Sequence, residues 1–207
     1  MDDRSRRRPP RSEVMARDRS TRPEAKPLRL FAAIEVPGGA KDAIARAFAP
    51  WRAAFPEARW APRENQHVTL KFLGRTWPRL TDWVPERVAE AAASCGAFAT
   101  RLDGVGAFPS ARRARVVWAG LDDRAGRMAE VALALDAALS REFAPETRAF
   151  TPHLTVARSD PPLRLPEGFA DTELEPVVWQ VDHVTLFRSH LGRPAPRYEP
   201  LGTFPLR

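Results

Sequence analysis

Two segments of the chain repeat a short pattern, His-x-Thr followed by an apolar residue. The first is HVTL at 67–70, and the second is HLTV at 153–156. In a β-strand, successive side chains alternate between the two faces, so the histidine and threonine of each copy share one face, about 6–7 Å apart. The residues between and after them form an apolar face, as in a half-buried strand. The repeat therefore predicts two strands that bury one face and present the same polar pair on the other.

The apolar periodicity of the remaining chain predicts further strands and three helices. Each histidine strand follows a helix, once in each half of the chain, as a duplicated α+β unit would arrange it. Two lobes around one cleft are the expected architecture. Strands are expected at 28–36, 67–74, 98–108, 115–119, 150–158, 177–187 and 197–204, a loop at 161–166, and helices near 44–55, 86–95 and 122–143, the first ended or kinked near Ala49 by Pro50.

Residues 1–27 differ in composition from the rest of the chain. They hold nine Lys or Arg and five Asp or Glu, a net charge of +4, which leaves only +3 of the total +7 for the other 180 residues. This Arg- and Pro-rich segment should be disordered, because it cannot bury enough apolar surface to offset its chain entropy. It is either an RNA-attracting arm or a dispensable extension, and Met15 offers a second start. The folded domain is expected at 28–207.

Composition also limits the setting and the kind of site. The single cysteine, Cys95, excludes an intramolecular disulfide and a Cys-rich zinc site. No apolar run approaches the roughly 20 residues of a membrane helix, and the N-terminus lacks the apolar core of a signal peptide. The sequence therefore predicts a cytoplasmic protein that does not contact a membrane.

A third copy of the pattern, HVTL, occurs at 183–186. Large apolar residues lie on both faces of its strand, and it belongs to the same half of the chain as His153. His183 is therefore predicted to be a packed structural histidine. His190 has no motif partner and is expected on the surface or in a loop.

The spacing of the histidines favours acid–base chemistry over other kinds of site. The His-x-x-x-His spacing of many catalytic zinc sites is absent, as is the G-x-S-x-G turn of serine hydrolases. An imidazole with a pKa near 6.5 can accept or donate a proton near neutral pH. His67 and His153 can thus supply both proton transfers of a phosphoryl displacement, while Thr69 and Thr155 donate to phosphoryl oxygens. Neither a metal ion nor a cofactor is required.

The chain resembles a known family over residues 29–206, and several segments carry this resemblance. They resemble the bacterial and archaeal RNA 2',3'-cyclic phosphodiesterases, historically called 2'-5' RNA ligases, of the 2H phosphoesterase superfamily. The segments are RLFAAIEVP (29–37), NQHVTLKFLG (65–74), RVVWAG (115–120), FTPHLTVAR (150–158), RSHLG (188–192) and RYEPL (197–201).

This resemblance implies a bilobal α+β fold, with two pseudo-symmetric antiparallel sheets and outer helices around a central cleft. It also implies that a monomer hydrolyses the 2',3'-cyclic phosphate of RNA ends, tRNA fragments among them, to a 2'-phosphomonoester. His153 would activate water as the base and His67 would protonate the departing 3' oxygen, while Thr69 and Thr155 hold the phosphate. A 2'-5' RNA ligase, a small cyclic-nucleotide phosphodiesterase and a non-catalytic RNA-binding protein are the alternatives.

Three further residues are candidates for contacts with the substrate. Strict alternation puts Lys71 on the face of His67, where it is either a phosphate or RNA contact or a solvated lysine. The same rule puts Arg158 on the apolar face unless the strand bulges or ends first, yet its counterpart in the family looks functional, so Arg158 is a candidate phosphate ligand. Phe150 is either a core residue or a base-stacking one.

Overall fold

The computed structural model describes residues 26–193 and 195–207. The predicted disorder of the basic N-terminal segment concerns residues that lie almost entirely outside this range, and it stays a prediction. The strands are β1 (Leu28–Glu35), β2 (Arg59–Trp60), β3 (His67–Thr76), β4 (Phe98–Phe108), β5 (Ala114–Leu121), β6 (His153–Leu163), β7 (Val178–Val181), β8 (His183–His190) and β9 (Arg197–Pro205), and the helices are α1 (Gly38–Ala54), α2 (Trp83–Ser94) and α3 (Arg127–Leu139).

The strands form two antiparallel halves that meet at the histidine strands. Their order is β7-β4-β5-β6-β3-β1-β8-β9, with β2 added beside β6. Each half contributes four strands to this order, and the halves join where Val68 of β3 pairs with Leu154 of β6. The predicted α+β fold with pseudo-symmetric antiparallel halves is therefore confirmed.

One face of the sheet forms the main core with the helices. The α3 helix packs against α2 and β3, and α2 also packs against β8 and β9. Val68, Leu154, Ile44, Val88 and Leu135 are among the residues that are fully buried there. The polar residues of the repeated motif lie on the opposite face, away from this core.

The structure differs from the expected elements at Pro50. Helix α1 continues through this residue to Ala54, so the prediction that it ends near Ala49 is wrong. Pro50 is exposed, which lets the helix lose one hydrogen bond without disturbing the core. Trp51 fixes the last turn, because its indole N–H donates to the Thr172 hydroxyl (2.9 Å) and its ring packs edge-on against Phe169.

The strand expected at 177–187 is two strands, separated only by Asp182. They belong to different halves, because β7 pairs with β4 whereas β8 pairs with β1 and β9. The sheet must curl for the chain to pass directly from one to the other. The loop expected at 161–166 is also shorter, since β6 runs through two prolines to Leu163, where its register with β5 shifts.

Candidate active site

The pairing of β3 with β6 sets the two His-x-Thr motifs side by side. Val68 pairs with Leu154 in an antiparallel register. Continuing that register by one residue in each direction puts His67 across from Thr155, and Thr69 across from His153. Two histidines and two threonines thus form one polar patch, while the two apolar residues at the centre point into the core.

Both histidine strands contain a β-bulge immediately after the motif. In β3, Leu70 is skipped between the pairs that Thr69 and Lys71 make with β1. In β6, Val156 is skipped in the same way between Thr155 and Ala157, in the pairing with β5. A bulge places two residues opposite one and inverts the alternation of the strand beyond it. The faces assigned to later residues by strict alternation are therefore reversed.

This reversal corrects the interpretation of Lys71. Its side chain is 6% exposed and points into the opposite face, where its ammonium pairs with Asp136 of α3 and donates to the backbone oxygen of Ala144 (3.1 Å). The prediction that Lys71 shares the face of His67 and contacts phosphate or RNA is wrong. Its position indicates a structural role.

The same reversal brings Arg158 to the histidine face. Arg158 is exposed, and its charge helps to lower the pKa values of both His67 and His153. Phe72 occupies the matching position of the first copy, 65% exposed, with its ring centre 6.0 Å from that of Phe31. The sequence reasoning missed Phe72 because it assumed unbroken alternation, although Phe72 and Arg158 each stand five residues after their histidine.

Backbone carbonyls orient the two imidazole rings in the same way. The Nδ1 atom of His67 lies 2.8 Å from the carbonyl oxygen of Asn65, and that of His153 lies 2.8 Å from the carbonyl oxygen of Thr151. A carbonyl only accepts, so Nδ1 carries the hydrogen and Nε2 is left for chemistry. In His67, Nε2 is 3.1 Å from the hydroxyl oxygen of Thr69.

An aromatic cluster surrounds the His67 ring. The ring centre of Phe31 is 4.8 Å away, that of Tyr198 is 5.2 Å away and edge-on, and that of Phe187 is 6.2 Å away. Phe31, Ala33 and Phe187 form a small buried group of their own, separate from the main core. His67 thus packs against apolar side chains on the otherwise polar face of the sheet.

This burial changes the proton affinity of His67. Burial is the main cause that lowers the pKa of its imidazole to about 4, with smaller contributions from the charges of Lys41, Arg158 and His153, against the opposing hydrogen bond to Asn65. The imidazole is therefore neutral at pH 7 in the free protein. It can serve as a proton donor only when a bound anion raises its pKa.

The second histidine has a more open environment. Burial and the charge of Arg158 lower the pKa of His153, while its hydrogen bond to the Thr151 carbonyl opposes that change. The ring of Phe108 stands edge-on to it with centres 5.1 Å apart, and Trp118 lies 6.4 Å away. The sites around His67 and His153 share the motif and the backbone hydrogen bond, but different aromatic side chains surround the two rings.

Trp118 depends on a glycine in the neighbouring strand. A β-carbon added to Gly106 would lie 2.1 Å from the indole ring, so only glycine leaves room for it. The motif RVVWAG thereby contributes a wall to the His153 site rather than a reacting group.

Residues 40–193 match the model of the 2'-5' RNA ligase superfamily. The chain belongs to this superfamily. It is 30% identical over 179 residues to the RNA 2',3'-cyclic phosphodiesterase of Geobacillus stearothermophilus, which covers 85% of this chain and 56% of the relative. It is 34% identical over 145 residues to the RNA 2',3'-cyclic phosphodiesterase of Aeropyrum pernix, covering 67% of this chain and 80% of the relative.

The fold comparison agrees with the family assignment. The solved structure of TT0787 of Thermus thermophilus superposes with a TM-score of 0.75 at 27% identity, covering 87% of this chain and 98% of that one. The chain spans little more than half the length of the Geobacillus relative. As a member of the 2'-5' RNA ligase superfamily with relatives named for their phosphodiesterase activity, the protein is an enzyme.

The sequence reasoning did not identify Lys41, a basic residue that lies near the first His-x-Thr motif. Lys41 lies half-buried in the first turn of α1, and its charge acts on His67. Burial and the neighbouring Arg63 lower the pKa of Lys41, whereas Glu35 and Glu64 oppose this. No signal in the sequence linked a lysine in a helix to a motif that begins 26 residues later.

In the third His-x-Thr copy, the histidine and threonine side chains contact nearby carboxylates. The His183 ring lies beside two carboxylates, with Nδ1 2.5 Å from Asp182 and Nε2 3.4 Å from Glu35, and the buried Thr185 donates to Glu35. Both ring nitrogens therefore have partners, although the ring is partly exposed rather than packed on both faces. His190 ends β8 and pairs with Glu199 instead of lying in a loop.

Two further findings concern metals and membranes. Within the described residues, no three His, Cys, Asp or Glu side chains are grouped closely enough to hold a metal ion. None of the helices seen in residues 26–193 and 195–207 is long and apolar enough to cross a membrane.

Proposed function

We propose that the protein hydrolyses a 2',3'-cyclic phosphate at the end of an RNA to a 2'-phosphomonoester. The observation that carries this proposal is the meeting of the two His-x-Thr motifs at the pair Val68–Leu154. A phosphate that sits between them has an imidazole and a threonine hydroxyl on either side. The names of the Geobacillus and Aeropyrum relatives support the same reaction.

In the proposed reaction, Nε2 of His153 accepts a proton from water as the water oxygen forms a bond to phosphorus. The bond between phosphorus and the 3' oxygen breaks, and His67, which is protonated at Nε2 when the anionic phosphate is bound, delivers that proton to the 3' oxygen. Each proton transfer contributes about 10²–10⁴ in rate. Thr69 and Thr155 donate to the phosphoryl oxygens, and Arg158 opposes their growing negative charge. The route uses neither a metal ion nor a cofactor.

The contrast between Arg158 and Phe72 suggests how a nucleotide is oriented. These residues hold equivalent positions beyond the two bulges, one as a cation and the other as an exposed aromatic ring. The cation suits the phosphate, and an aromatic face can stack on a nucleobase for about 1–3 kcal/mol.

We take the enzyme to act as a monomer in the cytoplasm, as the sequence predicts.

Product analysis tests the proposal directly. The purified protein should convert an RNA oligonucleotide with a 2',3'-cyclic phosphate end to one with a 2'-phosphate and a free 3' hydroxyl, at a rate unchanged by chelators. A 3'-phosphate product would reverse the assignment of the leaving oxygen. Joining to a second RNA with a 5' hydroxyl would instead indicate ligation, and absence of any turnover would overturn the proposal.

The pH dependence of kcat/KM should reflect the buried histidines. We expect a bell-shaped profile with both limbs below pH 6.5, because both histidines have lowered pKa values and that of His67 is about 4. As the pH rises through the higher of the two pKa values, the site loses the proton that the donor, His67, must deliver. As the pH falls through the lower pKa value, the acceptor, His153, is protonated and cannot take a proton from water. Initial rates with a cyclic mononucleotide at low substrate concentration measure this profile.

A variant in the aromatic cluster provides the control for this profile. Tyr198→Ala opens one side of the His67 ring to water, which should raise the pKa of His67 and move the acidic limb upward. Phe108→Ala, beside His153, should leave that limb where it is. A limb above pH 6.5 in the parent protein, or no movement in Tyr198→Ala, would contradict the burial argument.

A further inference from the structure

A basic groove lies behind the first histidine strand, between α1 and the segment that leads into β3. Three cations border it, namely Lys41, Arg52 and Arg63, together with Trp60 and Gln66. Gln66 and His67 are neighbours in the chain, so their side chains leave on opposite sides of the backbone. The groove is therefore next to the histidine face but distinct from the polar patch on it.

The carboxylates near these cations form few salt bridges with them, and Glu35 and Glu64 act on Lys41 without pairing with it. Arg63 pairs with Asp42 and donates to the carbonyl oxygen of Gly38. Within the described part of the chain, Lys41 and Arg52 have no carboxylate at salt-bridge distance, and Arg52 instead lies over the Trp60 ring, 5.8 Å from its centre. Two cations without a partner at one concave surface favour an anionic ligand.

A buried amide at the end of the groove also lacks a partner. Gln66 is 8% exposed, and its Oε1 atom makes no hydrogen bond in the described structure. Buried polar atoms are nearly always paired, and this acceptor oxygen would be satisfied by a donor rather than by an anion. The other end of the amide is an NH2 group, which is a donor, and Gln66 lines the groove. This end of Gln66 can donate to an anion held by the neighbouring cations.

We propose that this groove binds a phosphate of the RNA strand upstream of the cyclic end. Guanidinium, ammonium and amide N–H groups together match a phosphodiester, which carries one charge and several acceptor oxygens. Lys41 connects the two regions, because it borders the groove and its charge also reaches His67. The proposal rests on the proposed function, and it makes the substrate a strand rather than a single nucleotide.

The test compares two substrates with one substitution. In Arg52→Gln, KM for an oligonucleotide with a cyclic phosphate end should rise about tenfold, the effect of losing one charge-assisted hydrogen bond. KM for a cyclic mononucleotide should change less than about twofold, because that substrate has no upstream phosphate. The salt dependence of kcat/KM for the oligonucleotide should also weaken, its logarithmic slope falling by about 1.

The matched control is Arg46→Gln on the same helix. Arg46 pairs with Glu175 and does not line the groove, so neither KM should change. Equal effects of the two substitutions, or equal effects on the two substrates, would overturn the groove proposal. Thermal unfolding of each variant shows whether the fold is retained.

A binding measurement separates this proposal from the proposed function. If the parent protein turns over neither substrate, the proposed function fails, and the groove is tested alone with a fluorescent RNA oligonucleotide that ends in an ordinary 3' hydroxyl. Fluorescence anisotropy should then show a Kd about tenfold higher for Arg52→Gln than for Arg46→Gln. Equal Kd values would overturn the groove as an RNA subsite.

Discussion

Replacement of His153 or of His67 by alanine is expected to lower kcat for cyclic phosphate hydrolysis by about 10²–10⁴-fold in each case. Each substitution removes one of the two proton transfers and leaves the phosphate contacts of the other residues in place. Because the two imidazoles act on one displacement, the double variant should be little slower than the poorer single one. Initial rates at saturating cyclic mononucleotide measure these effects.

The third copy of the motif offers a matched control. His183→Ala removes the same residue from the same tetrapeptide, HVTL, that contains His67. Its ring is bound to Asp182 and Glu35 on a strand that is separated from β3 by β1, so kcat should stay within about twofold of the parent value. Full activity in His67→Ala, or inactivity in His183→Ala, would contradict the choice of the catalytic pair.

Lys71→Ala should lower the free energy of unfolding by about 3 kcal/mol, the lower part of the range for breaking a buried ion pair. The substitution leaves the carboxylate of Asp136, whose side chain is 19% exposed, without its ammonium partner. Asp136 retains only its backbone contact from Glu146. Urea denaturation followed by fluorescence measures the change.

A double variant and a rate measurement complete this prediction. Lys71→Met with Asp136→Leu removes both charges and should recover most of the lost stability, because apolar replacement of a buried pair is often neutral. The folded Lys71→Ala protein should keep kcat/KM within about threefold, since the side chain lies on the opposite face from His67. If Lys71→Ala left the stability unchanged and raised KM, that result would support the phosphate contact of Lys71 that the structure contradicts.

The failures of the sequence reasoning at Lys71 and Phe72 have one physical cause. Period-two alternation holds only while each residue of a strand has one partner, and Leu70 and Val156 are extra residues at the first register shift after each motif. Both residues are apolar, as the alternating pattern requires at their positions, so nothing in the sequence indicates a bulge at either one. For Arg158, the bulge that the sequence reasoning allowed for is present and brings the side chain to the histidine face, while its role as a phosphate ligand stays a prediction.

The sequence by itself determined the α+β class and the strands that carry the repeat, and it supplied the prediction that His67 and His153, rather than His183, form the catalytic pair, because local alternation and the spacing of the motifs carry that information. Only the tertiary structure decided which residues surround the histidines. The bulges, the aromatic cluster at His67 and the approach of Lys41 depend on the register between strands and on packing between distant segments. Those contacts, not the motif, give the histidines of two nearly identical tetrapeptides different surroundings.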